Sequence, residues 1–277
     1  MKKISILLPL KENFSEEYPG AVSLFINDTS KISKYKKNIE VFGNTKFKKK
    51  FNLKYKNLNV KKYLILSQNR NYVSEFIKSE KINSSELIEV HNRPKYINYI
   101  ANEFIKKKII LYFHNDPLSM NGSKYVNERV YLLKKCIKLI FNSNWSKKRF
   151  LEGMHDKFVN SEKLLVVFQS AKKLAVNIKK KKKEITFVGK LNKSKGYDIF
   201  GNAVLKILNK YKDWKANVVG DEQRDKIDFK HKNLKNFGFI SHKKVIEIYK
   251  KTSIAIVCSR WEEPFGRTSL EAASNGC

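Results

Sequence analysis

Acidic residues are scarce in this chain of 277: 26 Asp and Glu stand against 58 Lys and Arg, a formal net charge of +32. Arginine is scarce as well, supplying only seven of those basic residues. Sequence-specific nucleic-acid readers favour arginine forks for bidentate contacts. A lysine-dominated excess therefore argues against such a reader, and abundant Lys, Ile and Asn is also what AT-rich coding produces. The three cysteines (Cys136, Cys258, Cys277) have no metal-ligand spacing, and their odd number does not suit a disulfide framework. A reducing, cytoplasmic compartment and no metal are expected. With five prolines and no Gly/Ser linker or low-complexity repeat, nothing marks a tail. No segment approaches the roughly 20 apolar residues of a spanning helix. The run from Ile4 to Leu10 is too short for a signal peptide and no small-residue cleavage site follows it, so it reads as a buried first strand.

What is present is the composition of a globular protein, 42% hydrophobic and 12% aromatic. Lysines gather in two stretches: twelve at 31 to 62, with Glu40 the only acid, and seven at 172 to 183. The first reads either as a surface for anionic membrane at its inner face or as a solvated face. Apolar strands are expected at Ile4 to Leu8, Tyr63 to Leu66, Leu87 to Val90, Ile109 to Phe113, Leu139 to Phe141, Leu164 to Phe168, Ile185 to Val188, Ala216 to Val219, Asn236 to Phe239 and Ile254 to Cys258. Most are continuously hydrophobic, which suits parallel strands covered on both faces. Helical stripes lie between them, such as Phe200, Val204, Ile207, Leu208 and Tyr211, or Val245, Ile248 and Tyr249 behind a Ser241 cap. The expectation is an α/β protein of two Rossmann-like domains, 1–175 and 184–277, with a charged hinge between them.

Ligands in such sheets bind beyond the carboxyl ends of strands. Two strand-end loops there carry the chemistry. Ser259-Arg260-Trp261-Glu262-Glu263-Pro264-Phe265-Gly266-Arg267-Thr268-Ser269-Leu270-Glu271 runs from a strand through a Pro/Gly loop into a helix. Glu263 and Glu271 can face one pocket, and amides from Gly266 through Arg267 to Thr268 suit phosphate. Phe187-Val188-Gly189-Lys190-Leu191-Asn192-Lys193-Ser194-Lys195-Gly196 ends a strand at Gly189 and presents Lys190 and Lys195, two ammonium groups suited to a diphosphate leaving group. Its glycine spacing excludes a Walker A loop. In the first domain, Val90-His91-Asn92-Arg93-Pro94 and Phe113-His114-Asn115-Asp116-Pro117 each follow a strand, and both His-Asn pairs are expected to open into a cleft between domains.

The two C-terminal segments resemble the retaining GT-B glycosyltransferases of the large family 4, glycosyl transferases group 1, with its Phe-Val-Gly-Arg…Lys-Gly loop and Glu-x7-Glu element. The resemblance spans essentially all of 184–277 and is weaker before it. It implies that Glu271 holds the donor ribose, Glu263 and His114 meet the transferred sugar, and Lys190 and Lys195 neutralise the diphosphate. Lys190 stands where the family usually has arginine, so a bidentate fork is lost. Tyr18-Pro19-Gly20-Ala21 is similar to the family's glycine turn, with Ala21 replacing a second glycine, and it places Gly20 beside donor phosphate. His91 and Arg93 fall on the acceptor side or serve the structure. The implied partners are a nucleotide-sugar donor and a glycan or lipid-linked acceptor of cell-envelope synthesis, with no further cofactor. Phe168-Gln169-Ser170 departs from the family's Asn-Gly pair at the hinge. The family pattern continues past Asn275-Gly276-Cys277 with Pro and more strands, so an incomplete second domain and a poorly soluble or inactive chain are expected. Two other readings stay open: a catalytically inactive GT-B fragment, and a basic nucleic-acid-binding α/β protein, which steep salt dependence would reveal.

Overall fold

A computed structural model of the chain describes residues 3–60, 67–172, 175–222 and 227–277. The strand expected at Tyr63 to Leu66 lies outside the described residues. The chain divides into two compact units, Met1–Gln169 and Ser170–Cys277.

The first unit carries strands β1 (Ile4–Leu7), β2 (Ile39–Gly43), β3 (Tyr55–Asn57), β4 (Leu87–His91), β5 (Lys108–Phe113), β6 (Lys138–Phe141) and β7 (Leu164–Val166). They form one sheet in the order β3-β2-β1-β4-β5-β6-β7, and every pairing is parallel. Its helices are α1 (Ala21–Ile32), α2 (Gln68–Asn83), α3 (Pro94–Glu103), α4 (Val126–Lys135) and α5 (Asn144–Leu151). One apolar layer lies on each face of the sheet. Ile4, Ile6 and Val41 pack with Val22 and Ile26 of α1, whereas Leu7, Ile88, Val90 and Leu111 pack with α2, α3 and α4. Alternation along each parallel strand produces this division.

Glu80 of α2 is fully buried and tied down: its carboxylate accepts from Ser5 Oγ at 2.5 Å and from Ser85 N and Oγ, and it pairs with Lys107. A buried carboxylate so partnered fixes α2 against the start of β1. The stretch 31 to 62 is no uniform basic surface. It contains β2, whose residues are all buried except Glu40, and the edge strand β3.

The second unit contains β8 (Lys182–Val188), β9 (Lys215–Val219), β10 (Leu234–Asn236) and β11 (Thr252–Ile256), with α6 (Tyr197–Lys210), α7 (His242–Lys251) and α8 (Arg267–Ser274). The sheet order is β10-β9-β8-β11, again wholly parallel. Phe200, Val204 and Leu208 of α6 are buried against Ile185, Phe187 and Val218, as the stripe requires, but Tyr211 lies beyond the helix and is exposed. Ser241 occupies the N-cap position of α7 without a side-chain capping hydrogen bond. Two strands are displaced from expectation: β10 ends before Phe237, and β11 starts two residues earlier than Ile254. At β11 the reason is a buried hydroxyl pair, Thr186 to Thr252 at 2.6 Å, which satisfies a polar residue inside the sheet.

Each sheet has one point where the chain reverses its direction of growth. In the first it falls between β1 and β4, in the second between β8 and β11. The loops after those strands are where such folds bind ligands.

Candidate active site

In the second unit the loops after β8 and β11 are stitched together. Arg260 N and Trp261 N donate to Ser194 O at 2.9 and 3.1 Å. Arg260 also donates to Lys193 O and forms a two-pronged pair with Asp198, at 2.7 and 2.9 Å. Asn192 holds the turn from below, its Oδ1 accepting from Lys195 N and Ser194 Oγ. Gly196 closes it at φ +70, its Cα packed on the backbone of Cys258. This arrangement brings Lys195 and Glu263 into an ion pair, with Ser259 Oγ donating to the same Glu263 oxygen at 2.9 Å. Lys190 is exposed beside them in sequence. Both side chains of the pair remain about 30% exposed, so an ammonium and a carboxylate are held in place yet reachable by a ligand.

Glu271 keeps separate company. It is buried on α8, and its Oε1 accepts from Arg267 Nε at 2.7 Å and lies 2.9 Å from His242 Nε2. Burial pushes this carboxyl up, but the hydrogen bonds and charges of His242 and Arg267 together outweigh it and hold the group below its ordinary value. Arg267 sits four residues before Glu271 on one helix, a pairing readable from the sequence. His242 comes from α7, and nothing local announces it. Gly266, at φ +81, is the N-cap of α8, and Thr268 lies in its first turn.

In the first unit His91 Nδ1 lies 3.0 Å from His114 Nε2. His91 also stacks on Tyr112 at 4.5 Å, and Phe25 of α1 meets the His114 ring edge-on at 5.1 Å. Register explains the cluster. His91 pairs with Tyr112 across β4 and β5, and His114 follows Tyr112 by two residues, on the same face. The His114 backbone is clamped from both neighbouring strand ends. Asn92, in the left-handed region at φ 55, accepts from His114 N and Asn115 N, both at 3.2 Å, while Asn142 donates to His114 O at 2.9 Å. His91 is only 1% exposed, which fits the structural of its two expected roles and not the acceptor-side one: it offers an acceptor no surface. Arg93 is half-buried and donates to Asn92 O at 2.7 Å.

Gly20 precedes α1, where the glycine turn was expected to meet phosphate. A carboxylate of the chain itself stands there. Glu12 accepts from Ser23 N at 2.8 Å, and a Cβ at Gly20 would lie 2.1 Å from Glu12 Oε1. Burial pushes the Glu12 carboxyl up, against hydrogen bonds from Ser23 and the charge of Arg93. Glu12 and His242 are contributors that sequence reasoning missed, and neither carries a local signal; Ser259 stood in the strand-to-helix motif without a role.

The two parallel-sheet units are of the kind found in the GT-B fold, which the solved structures named below share. Residues 168–277 match the family described as Glycosyl transferases group 1. A curated relative, an uncharacterized 41.2 kDa protein in the cps region of Klebsiella pneumoniae, is 26% identical over 227 residues, which are 72% of this chain and 61% of that protein. Among solved structures, Anabaena Alr3699/HepE in complex with UDP and glucose superposes with a TM-score of 0.72 at 15% identity, covering 100% of this chain and 79% of that one. The lipopolysaccharide outer core galactosyltransferase WaaB gives 0.62 at 17% identity, over 99% and 78%. A glycosyltransferase from Rickettsia africae gives 0.66 at 16%, over 99% and 77%.

Proposed function

We propose that this chain is a glycosyltransferase that moves a sugar from a nucleoside diphosphate to a glycan or lipid-linked acceptor, with retention at the anomeric carbon, in cell-envelope polysaccharide assembly. The observation that carries this reading is the Lys195–Glu263 pair at the strand-order reversal of the second sheet, inside the segment that matches the glycosyltransferase family. HepE, a protein of the same fold, has been solved with UDP-glucose bound, and the relative from Klebsiella comes from a cps region.

In this reading Lys190 and Lys195 stabilise the departing diphosphate together with the amides at the start of α8, so the positive charge comes from the protein. Glu271 holds the ribose hydroxyls, and Glu263 and His114 meet the transferred sugar. Departure and attack occur on one face of the sugar, with the leaving phosphate taking the acceptor's proton. The protein contributes position and electrostatics. Arg93 serves the acceptor, and surface lysines meet anionic lipid at the inner face of the membrane.

A thermal-shift panel of UDP-, GDP- and ADP-sugars tests this, with a signal expected for one base. Lys195→Ala should weaken nucleoside diphosphate binding by about tenfold, the worth of one charge-assisted hydrogen bond. It should leave binding of the free nucleoside unchanged. No shift with any nucleotide, together with steeply salt-dependent binding to bulk RNA or DNA, would instead establish a nucleic-acid protein.

A further inference from the structure

Behind His114 runs a line of buried polar groups that sugar transfer as described above does not use. His114 Nε2 meets His91 Nδ1 at 3.0 Å. The other His91 nitrogen, Nε2, is buried without a hydrogen-bond partner and lies 3.6 Å from Glu89 Oε2. On the outer side, Gln169 Nε2 approaches His114 Nδ1 at 3.5 Å, and Gln169 Oε1 is likewise buried without a partner. Two rings and two end groups thus lie in one row, with an orphaned atom near each end.

We propose that Glu89 is a positioning residue which, acting through His91, sets which nitrogen of His114 carries the proton. The argument is one of donor counting. A neutral imidazole has one N–H and one bare nitrogen. If Glu89 is ionised, its charge favours an N–H on the facing His91 Nε2, even at 3.6 Å, a distance too long for a formal hydrogen bond. His91 Nδ1 is then bare and accepts from His114 Nε2–H. His114 Nδ1 is left as an acceptor, as the Gln169 amide requires. If Glu89 is protonated, its O–H faces a bare His91 Nε2 and every proton in the row shifts by one place. His114 Nδ1 then becomes a donor, and the orphaned Gln169 Oε1 is the atom able to receive it. Whether His114 Nδ1 presents a lone pair or an N–H on its outer side, where Gln169 now meets it, follows from the state of Glu89.

The surroundings hold the rest of the row neutral while Glu89 titrates. Burial pushes the Glu89 carboxyl up to about 7 and the His91 imidazole down to about 3. The groups facing the row from packed elements are Tyr112 of β5 and Phe25 of α1. Burial and the charge of Glu89 push the Tyr112 phenol up, so it stays neutral as well. That the switched nitrogen meets a donor sugar rests on the glycosyltransferase reading; the switch itself does not.

Imidazole ¹⁵N spectra of the full chain, followed from about pH 5 to about pH 9 without ligand, test the switch. The five histidines are assigned by single replacements. His114 should exchange its protonated nitrogen, Nδ1–H at low pH and Nε2–H at high pH, with a midpoint near the value of about 7 set for Glu89. Glu89→Gln, which cannot ionise, should hold one tautomer across the range. His91→Phe keeps a ring on Tyr112 and cuts the row, and it should abolish the exchange too. A single His114 tautomer in the wild type, or an exchange unchanged in both variants, would overturn the proposal. UDP-sugar binding measured on the same samples separates the two readings, because the exchange can fail where nucleotide still binds, and can persist where it does not.

Discussion

Gly196→Ala should destabilise the second unit by at least about 4 kcal/mol, enough to unfold it in part at ambient temperature. Two costs combine. Gly196 sits at φ +70, where an L-residue bears about 1 to 2 kcal/mol. The larger cost is steric: a Cβ there would stand 1.9 Å from the carbonyl oxygen of Cys258 and 2.7 Å from its carbon. Those are backbone atoms just beyond β11, which is paired to β8, so they cannot yield without opening the sheet edge. The contact separated is the seam on which Lys195 meets Glu263, so donor binding should vanish along with stability. Gly238→Ala is the control. It too has positive φ, at 61, but no atom beyond its own chain neighbours lies within 4 Å of its Cβ position, so only the conformational cost of about 1 to 2 kcal/mol is expected. Urea unfolding of both variants, with hydrogen exchange to assign the loss to residues 170–277, checks the difference. Equal losses would refute the steric argument.

That contrast bears on what the sequence could and could not tell. Both glycines have positive φ, and only the approach of Cys258 to Gly196 tells them apart. The same holds for the strands. β5 and β6 were legible because burial on both faces demands unbroken apolar runs, and β4 because Leu87, Ile88 and Val90 outweigh the one acid, Glu89, among them. β2 was not, because Ile39–Gly43 lies among lysines and contains Glu40, whose carboxylate pairs with Lys54. β3 is three residues at an edge, half of its surroundings being solvent, and it carries no apolar signal.

The site divides in the same way. Strand-end position singled out Lys195 and Glu263, which the structure pairs, and in the first unit His114, since a doubly wound sheet delivers its loops to the carboxyl ends of its strands. Partners from other elements stayed hidden. Glu12 reaches Gly20 across a loop and His242 reaches Glu271 from a different helix. His91 was seen as a twin of His114 on an equivalent strand, yet its burial, and therefore its orientation towards His114, depended on the packing of Phe25 from α1.

Glu271→Ala is expected to cost about 3 kcal/mol of stability, because it removes the shared hydrogen-bond acceptor of Arg267 and His242 in a buried setting. It should also weaken nucleotide binding by roughly 10- to 100-fold, the worth of charged hydrogen bonds to two hydroxyls. The two effects can be separated. Both internal bonds end on Oε1, leaving Oε2 for a ribose. Glu271→Gln keeps an acceptor oxygen for Arg267 and His242 but puts an amide donor in place of the second carboxylate oxygen. Most of the stability should survive in the Gln variant while nucleotide affinity still falls, and 2′-deoxy-UDP should bind wild type and Gln variant more nearly alike than UDP does. The pH dependence follows from the depressed carboxyl. Such a group contributes stability above its unfolded value of about 4.5 and loses it as pH falls through the lower folded value. The acid limb of the stability curve should therefore be shallower in Glu271→Ala than in the wild type, with the two curves converging at low pH. If the Gln variant binds UDP as tightly as the wild type, Glu271 is a structural clasp between α7 and α8, and the ribose must be held elsewhere.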